Sequence, residues 1–224
     1  MATRARKTAP PPPPDVSLSE HAHRSLMGMI LSGQLGPNEV VTERQIALQL
    51  GISRTPLREA VRRLEGQRLL HRQQSGALVV RALPIEEYMH ILHVRRLLEG
   101  EAARLAAGKV PREELDVLRS RIDAVLSLPE TAPLPEAAGE DEDLHRVIAA
   151  AAGNPVLEEM IATLRTRTAM FRFGRMPGRR KVVMEEHRAI VDALASGDGE
   201  AARRAMEHHI DQVRQTLLAR LSGH

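Results

Sequence analysis

Apolar residues in the first third of the chain recur at helical spacing in three short segments. Residues at i, i+3, i+4 and i+7 fall on one face of a helix, so this spacing predicts a buried stripe on each helix. Leu26, Ile30 and Leu31 indicate a first helix that ends near Gly33. The other apolar positions are Ile46, Leu48 and Leu50 in the second segment, and Leu57, Ala60, Val61 and Leu64 in the third.

The residues at the ends of the second and third segments also favour helices. Thr42-Glu43-Arg44-Gln45 has the Thr-x-x-Gln form of a capping box. Gly51 follows the second segment, where a left-handed C-cap is expected. We expect Ser53 or Thr55 to cap the third helix, with Pro56 in its first turn, where a missing N–H does no harm.

The third segment carries arginine at every fourth position from Arg54 to Arg62, on a stripe separate from its apolar one. Two short helices joined through a glycine turn, the second with arginines outside, present a recognition helix to the major groove. Residues 69–72 and 77–80 predict two strands, joined by a connection that ends at Gly76 and forms a wing. The alternative is a small helical domain with a hairpin and a solvated arginine face.

The rest of the chain is helical in pattern, and no segment alternates like a strand. Residues 129–139 are rich in Pro and Ala and predict a loop. Ile91, Val94, Leu98, Ala102 and Leu105 form the apolar stripe of the first helix. The predicted helices cover residues 85–107, 112–128, 141–152, 155–173, 181–196 and 199–221. We therefore predict a mainly α protein, with an N-terminal winged helix-turn-helix and a C-terminal all-α antiparallel helical bundle.

Four residues of the predicted bundle have side chains that bind metals. Asp141 and His145 are one turn apart on the same helix face, and His187 and His209 lie on apolar stripes of two later helices. Imidazole and carboxylate together suit Zn, Ni, Mn or Fe(II). The alternative is that each histidine is a core residue with an ordinary hydrogen bond.

Composition limits the classes of site and partner. The chain has no Cys, which excludes disulfides and thiolate metal sites. No apolar run reaches the roughly 20 residues that a membrane helix needs, so we expect no membrane partner. Residues 1–15 are basic and then Pro-rich without an apolar stretch, and we interpret them as a disordered arm of a cytoplasmic protein.

Charge is distributed unevenly along the chain. Residues 1–83 contain 12 Lys and Arg against 6 Asp and Glu, whereas residues 84–224 contain 20 against 23. A basic N-terminal region suggests that this part meets a polyanion. We therefore assign residues 16–83 to DNA binding and treat residues 84–224, the predicted bundle, as a second domain.

The N-terminal region resembles the GntR family of regulators. The resemblance runs from about Ser25 to Leu83 and is dense over the run Ser-Arg-Thr-Pro-Leu-Arg-Glu-Ala-Val-Arg-Arg-Leu-Glu that starts at Ser53. Asn38 departs from the usual Gly after Pro, but Asn tolerates a positive φ. The DNA-contacting positions that the resemblance implies are Arg44, Ser53, Arg54, Thr55, Arg58 and Gly76.

The C-terminal region resembles the effector (FCD-type) domain of the FadR subfamily within that family. The residues that carry the resemblance are Arg95-x-x-x-Glu99, Asp141-x-x-Leu-His145, Glu186-His187 and His209-Ile. Many members hold a divalent metal through one Asp and three His, with a small carboxylate completing the site. The resemblance implies that Asp141, His145, His187 and His209 are the metal ligands, although Asp143 remains an alternative to Asp141.

Several arginines could bind the carboxylate of such an effector. Arg95 matches the family motif and is our first choice. Arg165, Arg167 and Arg172 are further candidates, and the alternative for them is a solvated basic face. His90 and His93 are open between the same pocket and solvent, whereas we expect His208 at the surface.

Together these features predict a homodimeric transcription regulator, a repressor, that binds double-stranded operator DNA and is not an enzyme. A small organic acid would act as its effector at a divalent metal ion, either Zn, Ni or Mn. Residues 84–224 would bind this effector and form the dimer. A metal-dependent enzyme is an alternative, since three protein ligands and an open position also form a catalytic arrangement. A metal sensor, in which the metal itself is the effector, is another.

Overall fold

The structure is a computed structural model that describes residues 16–129, 140–169 and 179–221. The chain passes from one compact unit to a second between Pro84 and Ile85. Three predicted features lie outside the described residues: the arm at residues 1–15, the loop at residues 130–139, and residues 170–173 at the end of a predicted helix.

The described part of the N-terminal unit contains three helices and a small antiparallel sheet, in which the strand Leu78–Val80 lies between the strands Val40–Val41 and Leu70–Arg72. Its elements are α1 (Leu18–Ser32), β1 (Val40–Val41), α2 (Glu43–Leu50), α3 (Arg54–Gly66), β2 (Leu70–Arg72) and β3 (Leu78–Val80). The predicted wing strands are β2 and β3, each one residue shorter than expected. β1 was not predicted, because two residues are too short to show alternation.

The predicted stripe of α3 forms the centre of the N-terminal core. Leu57, Ala60, Val61 and Leu64 are at most 1% exposed, and α3 packs on α1, where Leu26 is fully buried. The stripe predicted for α2 is only partly correct, since Leu48 is 71% exposed. Ala47 is buried in its place beside Ile46 and Leu50, because the helical repeat brings it onto that face.

The helices of this unit begin and end near the predicted residues, but the predicted capping hydrogen bonds are not all formed. Gly33 and Gly51 are left-handed C-caps, at φ 70° and 66°. Thr42 and Ser53 occupy the N-caps of α2 and α3, yet neither side chain makes a capping hydrogen bond. The predicted capping box is therefore wrong as a set of hydrogen bonds. Asn38 adopts a φ of 63°, as its replacement of Gly required.

The described part of the C-terminal unit consists of six helices. They are α4 (Ile85–Ala106), α5 (Arg112–Leu126), α6 (Glu140–Ala151), α7 (Pro155–Ala169), α8 (Arg180–Ser196) and α9 (Gly199–Leu221). Every described end lies within two residues of the predicted one. Among the described helices, none combines the length and the apolar character that spanning a bilayer requires.

The long helices α4 and α9 pack along each other, and α8 packs on α9 and α5. Gly100 permits the close packing of α4 against α9, because a Cβ at this position would lie 2.9 Å from Cγ of Glu207. The stripe predicted for α4 is wrong in part, since Val94 is 39% exposed. The buried face instead includes Arg95 and Glu99, which an apolar pattern cannot detect.

Candidate functional site

Helices α6, α8 and α9 bring the four predicted metal ligands together. Asp141 and His145 lie on α6, His187 on α8 and His209 on α9, and one potential ligand atom from each lies within 4.8 Å of the others. Asp141 Oδ1 is 3.5 Å from Nε2 of both His145 and His187. The histidine side chains are at most 4% exposed, and that of Asp141 is 58% exposed. The cluster is thus closed on the histidine side and accessible at its carboxylate.

Two of the three imidazoles are held from behind by buried carboxylates. The Nδ1–H of His209 donates to Glu186 Oε2 at 2.7 Å, and that of His145 donates to Glu99 Oε2. An ionised carboxylate only accepts, so it places the ring proton on Nδ1 and leaves the Nε2 lone pair facing the cluster. These carboxylates are the functional residues that sequence reasoning missed. The available signals were Glu99 one turn after Arg95 and Glu186 beside His187.

The electrostatics keep both carboxylates ionised and His209 neutral. Burial opposes ionisation of Glu99, but Arg95 and His145 outweigh it and lower the pKa of that carboxyl. Burial likewise opposes ionisation of Glu186, and its hydrogen bond with His209 holds the pKa below the ordinary value. Burial lowers the pKa of His209 to about 4. Neutral imidazoles are the form that binds metals.

Three buried ring nitrogens of the cluster have no hydrogen-bond partner among the described residues. They are Nε2 of His145 and both ring nitrogens of His187. A buried polar atom without a partner is costly, so the absence of a partner here needs a reason. A divalent cation bound by Nε2 of His145 and His187, His209 and Asp141 would supply one, and this donor set suits Zn, Ni or Mn. The residues present therefore fit a metal.

The structure brings Asp141 rather than Asp143 to the histidines. Asp141 Oδ2 accepts a hydrogen bond from Arg165 at 2.7 Å. The surrounding protein opposes ionisation of Asp141, but Arg165 and the adjacent imidazoles of His145 and His187 hold its pKa well below the ordinary value. Asp143 forms ion pairs with Arg121 and Arg146 instead.

The candidate effector-binding arginines have different surroundings. Arg95 is buried, and donates to Glu99 Oε1 at 2.5 Å and to Thr168 Oγ1 at 3.0 Å. The solvated basic face considered for Arg165 is wrong, because this residue is 7% exposed and compensated by the acidic groups around it. Arg167 pairs with Glu87 and has a side chain only 12% exposed. Arg172 lies outside the described residues.

The remaining histidines considered from the sequence are at the surface. His90 and His93 are exposed, which answers the question that the sequence left open. His208 is also exposed, as the helical rotation from His209 predicts.

The six candidate DNA-contacting residues are all exposed on the N-terminal unit. Arg44 lies in the first turn of α2, Ser53 caps α3, and Gly76 lies in the wing turn at a φ of 81°. Three residues of α3 complete the set: Arg54, Thr55 and Arg58. An exposed helix with arginines beside a wing is the arrangement that enters a DNA groove.

Comparison with known families agrees with both units. Residues 18–80 match the bacterial regulatory proteins of the gntR family, and residues 90–212 match the FCD domain. The chain belongs to the GntR family. It is therefore a DNA-binding transcription regulator in a family of regulators, not enzymes, and the predicted fold class is confirmed.

Similar GntR-family proteins include three regulators. The chain is 31% identical over 217 residues to the HTH-type transcriptional regulator YcbG of Bacillus subtilis (strain 168), covering 90% of this chain and 91% of that one. It is 32% identical over 182 residues to a probable D-xylose utilization operon transcriptional repressor of Paenarthrobacter nicotinovorans, covering 81% and 80%. It is 31% identical over 199 residues to the Nta operon transcriptional regulator of Aminobacter aminovorans, covering 84% and 91%.

Among solved structures the GntR-family fold recurs at lower identity. McbR/YncC of E. coli superposes with a TM-score of 0.78 at 23% identity, over 92% of this chain and 99% of that one. At this identity the likeness shows the fold alone.

Proposed function

We propose that this GntR-family regulator is a cytoplasmic repressor whose operator affinity is controlled by a small organic acid bound at a divalent metal. The observation that carries the proposal is the Asp141, His145, His187 and His209 cluster, in which three buried ring nitrogens have no partner in the described part of the chain. A purely structural cluster would be expected to satisfy those nitrogens with protein hydrogen bonds.

On the DNA side, the proposal assigns Arg44, Ser53, Arg54, Thr55, Arg58 and Gly76 to operator contacts. Each is exposed, and the arginines offer the bidentate geometry that reads guanine or binds phosphate. We propose a homodimer, because two recognition helices related by a two-fold axis read the two halves of a palindromic operator.

On the effector side, a bound metal would supply a Lewis acid that attracts the effector carboxylate. The chain itself orients the site: Glu99 and Glu186 fix the rings of His145 and His209. The exposed carboxylate edge of the cluster is the side from which an effector would enter.

We propose that Arg95 neutralises a second acidic group of the effector. Its guanidinium has five N–H donors, and Glu99 and Thr168 receive one each in the structure. Arg165 stands beside Asp141 and is the second candidate for the same contact.

Regulation would follow from a population shift. An effector that binds one conformational state better moves the protein toward that state, and operator affinity changes by the coupling free energy, typically about 1–3 kcal/mol. If the metal itself carried that difference in affinity, the protein would be a metal sensor with the same ligands.

Elemental analysis of protein prepared without chelators tests the metal site. We expect about one divalent metal per chain in the wild type and loss of the metal in His209→Ala, because three N/O ligands hold a metal less tightly than four. His208→Ala is the matched control, since this neighbour on α9 is exposed and should leave the metal in place. A wild type that holds no metal and cannot be loaded with Zn, Ni or Mn would contradict the proposal.

A further inference from the structure

One carboxylate lies in the middle of the arginine-rich DNA-facing surface. Glu43, the first residue of α2, accepts a hydrogen bond from Arg72 of β2 at 2.8 Å on one oxygen. Its other oxygen accepts from Arg58 of α3 at 3.3 Å. Glu65 also pairs with Arg72, at 3.2 Å. Three separate elements of the winged helix-turn-helix therefore meet at Glu43.

These groups line a surface cleft together with Arg62. The side chain of Glu43 is only 16% exposed, whereas those of Arg58 and Arg72 are 55% and 44% exposed. The hydrogen bond from Arg72 holds the pKa of Glu43 below its ordinary value. The carboxylate of Glu43 is thus ionised and mostly covered, whereas the guanidiniums of Arg58 and Arg72 are open to solvent.

Neither stability nor plain DNA affinity accounts for this carboxylate. The guanidiniums that pair with Glu43 are about half exposed, and ion pairs screened by solvent in this way add little stability to a fold. A negative charge near a DNA-facing surface also repels phosphates, and so weakens binding to any duplex. Glu43 does restrict the conformations of the two arginine side chains. Flexible arginines lose conformational freedom when they bind DNA, and an ion pair formed before binding reduces that loss.

We propose that Glu43 is a positioning residue for DNA recognition, which holds Arg58 of the recognition helix and Arg72 of the wing so that both contact the same duplex. Arg72 thereby becomes a DNA contact in addition to the six residues assigned above. The inference rests on the assignment of α3 and the wing to the DNA surface.

The test compares two duplexes with the full-length protein. One is selected from random-sequence DNA by repeated binding to the wild type, and the other is a scrambled duplex of the same composition. Glu43→Gln removes the charge and leaves one amide oxygen to accept. We expect the ratio of selected to scrambled affinity to fall about tenfold, as for one lost bidentate contact, while affinity for the scrambled duplex does not fall.

Glu59→Gln is the matched control, because this exposed residue of α3 loses the same charge. It should raise affinity for both duplexes by the same factor and keep their ratio. Glu65→Gln, which loses only the pair with Arg72, should lower the ratio less than Glu43→Gln does. Arg72→Gln should weaken binding to both duplexes and reduce the slope of log K against log salt by about one per half-site.

A Glu43→Gln variant that behaves like Glu59→Gln would overturn the inference, since Glu43 would then act only by repulsion. Thermal unfolding checks that the variant folds. If it does not, Glu43→Asp, which keeps the charge but shortens the side chain, must lower the ratio instead. A wild type that binds both duplexes equally would overturn the assignment of the DNA surface, and this inference with it.

Discussion

The three histidines of the cluster are held in different ways. A buried carboxylate backs His145 and another backs His209, whereas both ring nitrogens of His187 lack a partner among the described residues. Glu99 also neutralises Arg95 and lies near Arg165, so it connects α4, α6 and α7. Removing Glu99 would leave the buried Arg95 without its ion-pair partner and cost folding free energy. Glu186 also pairs with Arg179, but its replacement by Gln keeps an oxygen that can accept from that guanidinium, so this change tests ligand orientation.

Glu186→Gln should weaken metal binding by about 10–100-fold without unfolding the protein, because the ring of His209 loses the carboxylate that fixes its Nδ1–H. Competition with a chromophoric chelator measures the affinity, and thermal unfolding of the metal-free protein checks the fold. Glu185→Gln is the matched control, since its side chain is 57% exposed. Equal metal affinity in both variants would show that Glu186 does not orient a ligand.

The buried ring of His209 also predicts how stability depends on pH. Its pKa is about 4 in the folded chain, against an ordinary value of 6.5 for a solvated histidine. A group with the lower pKa in the folded state stabilises the fold above its unfolded pKa, and that contribution is lost as pH falls because the unfolded chain takes up the proton first. We therefore expect the metal-free protein to lose unfolding free energy between about pH 6.5 and 4.

Urea denaturation of the chelator-treated protein across that range measures the loss. His209→Gln should lose less stability over the same interval, whereas the exposed His208→Gln should follow the wild type. Glu99 and Asp141, whose ordinary pKa values are 4.5 and 3.8, lose their contributions mainly below this interval. A wild type whose unfolding free energy is constant from pH 6.5 to about 4.5 would contradict the prediction.

At the scale of elements, sequence periodicity located the helices but assigned some of their buried faces only in part, since Leu48 of α2 is exposed. The stripe of α3 and the described ends of the helices in the C-terminal unit follow from spacing, glycines and prolines. The face of α4 did not follow, because its buried side carries the ion pair of Arg95 and Glu99. The spacing of this pair is visible in the sequence, but its burial is visible only when the helices packed on α4 are in place.

The candidate site, too, could be predicted from the sequence only in part. Its ligands could be proposed from the sequence because Asp141 and His145 are one turn apart and the family motif supplies the other two histidines. Glu186 could not be assigned a role, since its contact with His209 joins residues 23 positions apart on different helices. β1 was missed because its only evidence is its pairing with β3.

The recognition helix can be tested as an element. Arg54→Ala or Arg58→Ala should each remove a base or phosphate contact worth roughly 1–3 kcal/mol per half-site, and so reduce binding to the selected duplex by tenfold or more in a dimer. Gel-shift titration measures the affinity. Arg112→Ala, which removes an arginine side chain 90% exposed on α5, controls for net charge. Unchanged affinity in both α3 variants would remove α3 from the DNA surface.

At the scale of the whole molecule, the proposal requires that the metal site and the operator site affect each other. We expect a small organic acid to change affinity for the selected duplex by roughly 5–150-fold, the usual range of allosteric coupling. The change should need the metal-loaded protein, because the metal would hold one carboxylate of the acid while Arg95 binds a second acidic group. The measurement is a duplex titration at fixed acid, for metal-loaded and metal-free protein, with a panel of mono- and dicarboxylic acids.

Thermodynamic linkage provides a second measurement, because coupling between two binding sites is reciprocal. The selected duplex must change the affinity of the active acid by the same factor, which calorimetry measures on the metal-loaded protein. His187→Ala should lose the response to acid and still bind the duplex, whereas His208→Ala should respond like the wild type. If metal alone produces the full change and no acid adds to it, the protein is a metal sensor. If neither does, the cluster has no regulatory role in operator binding.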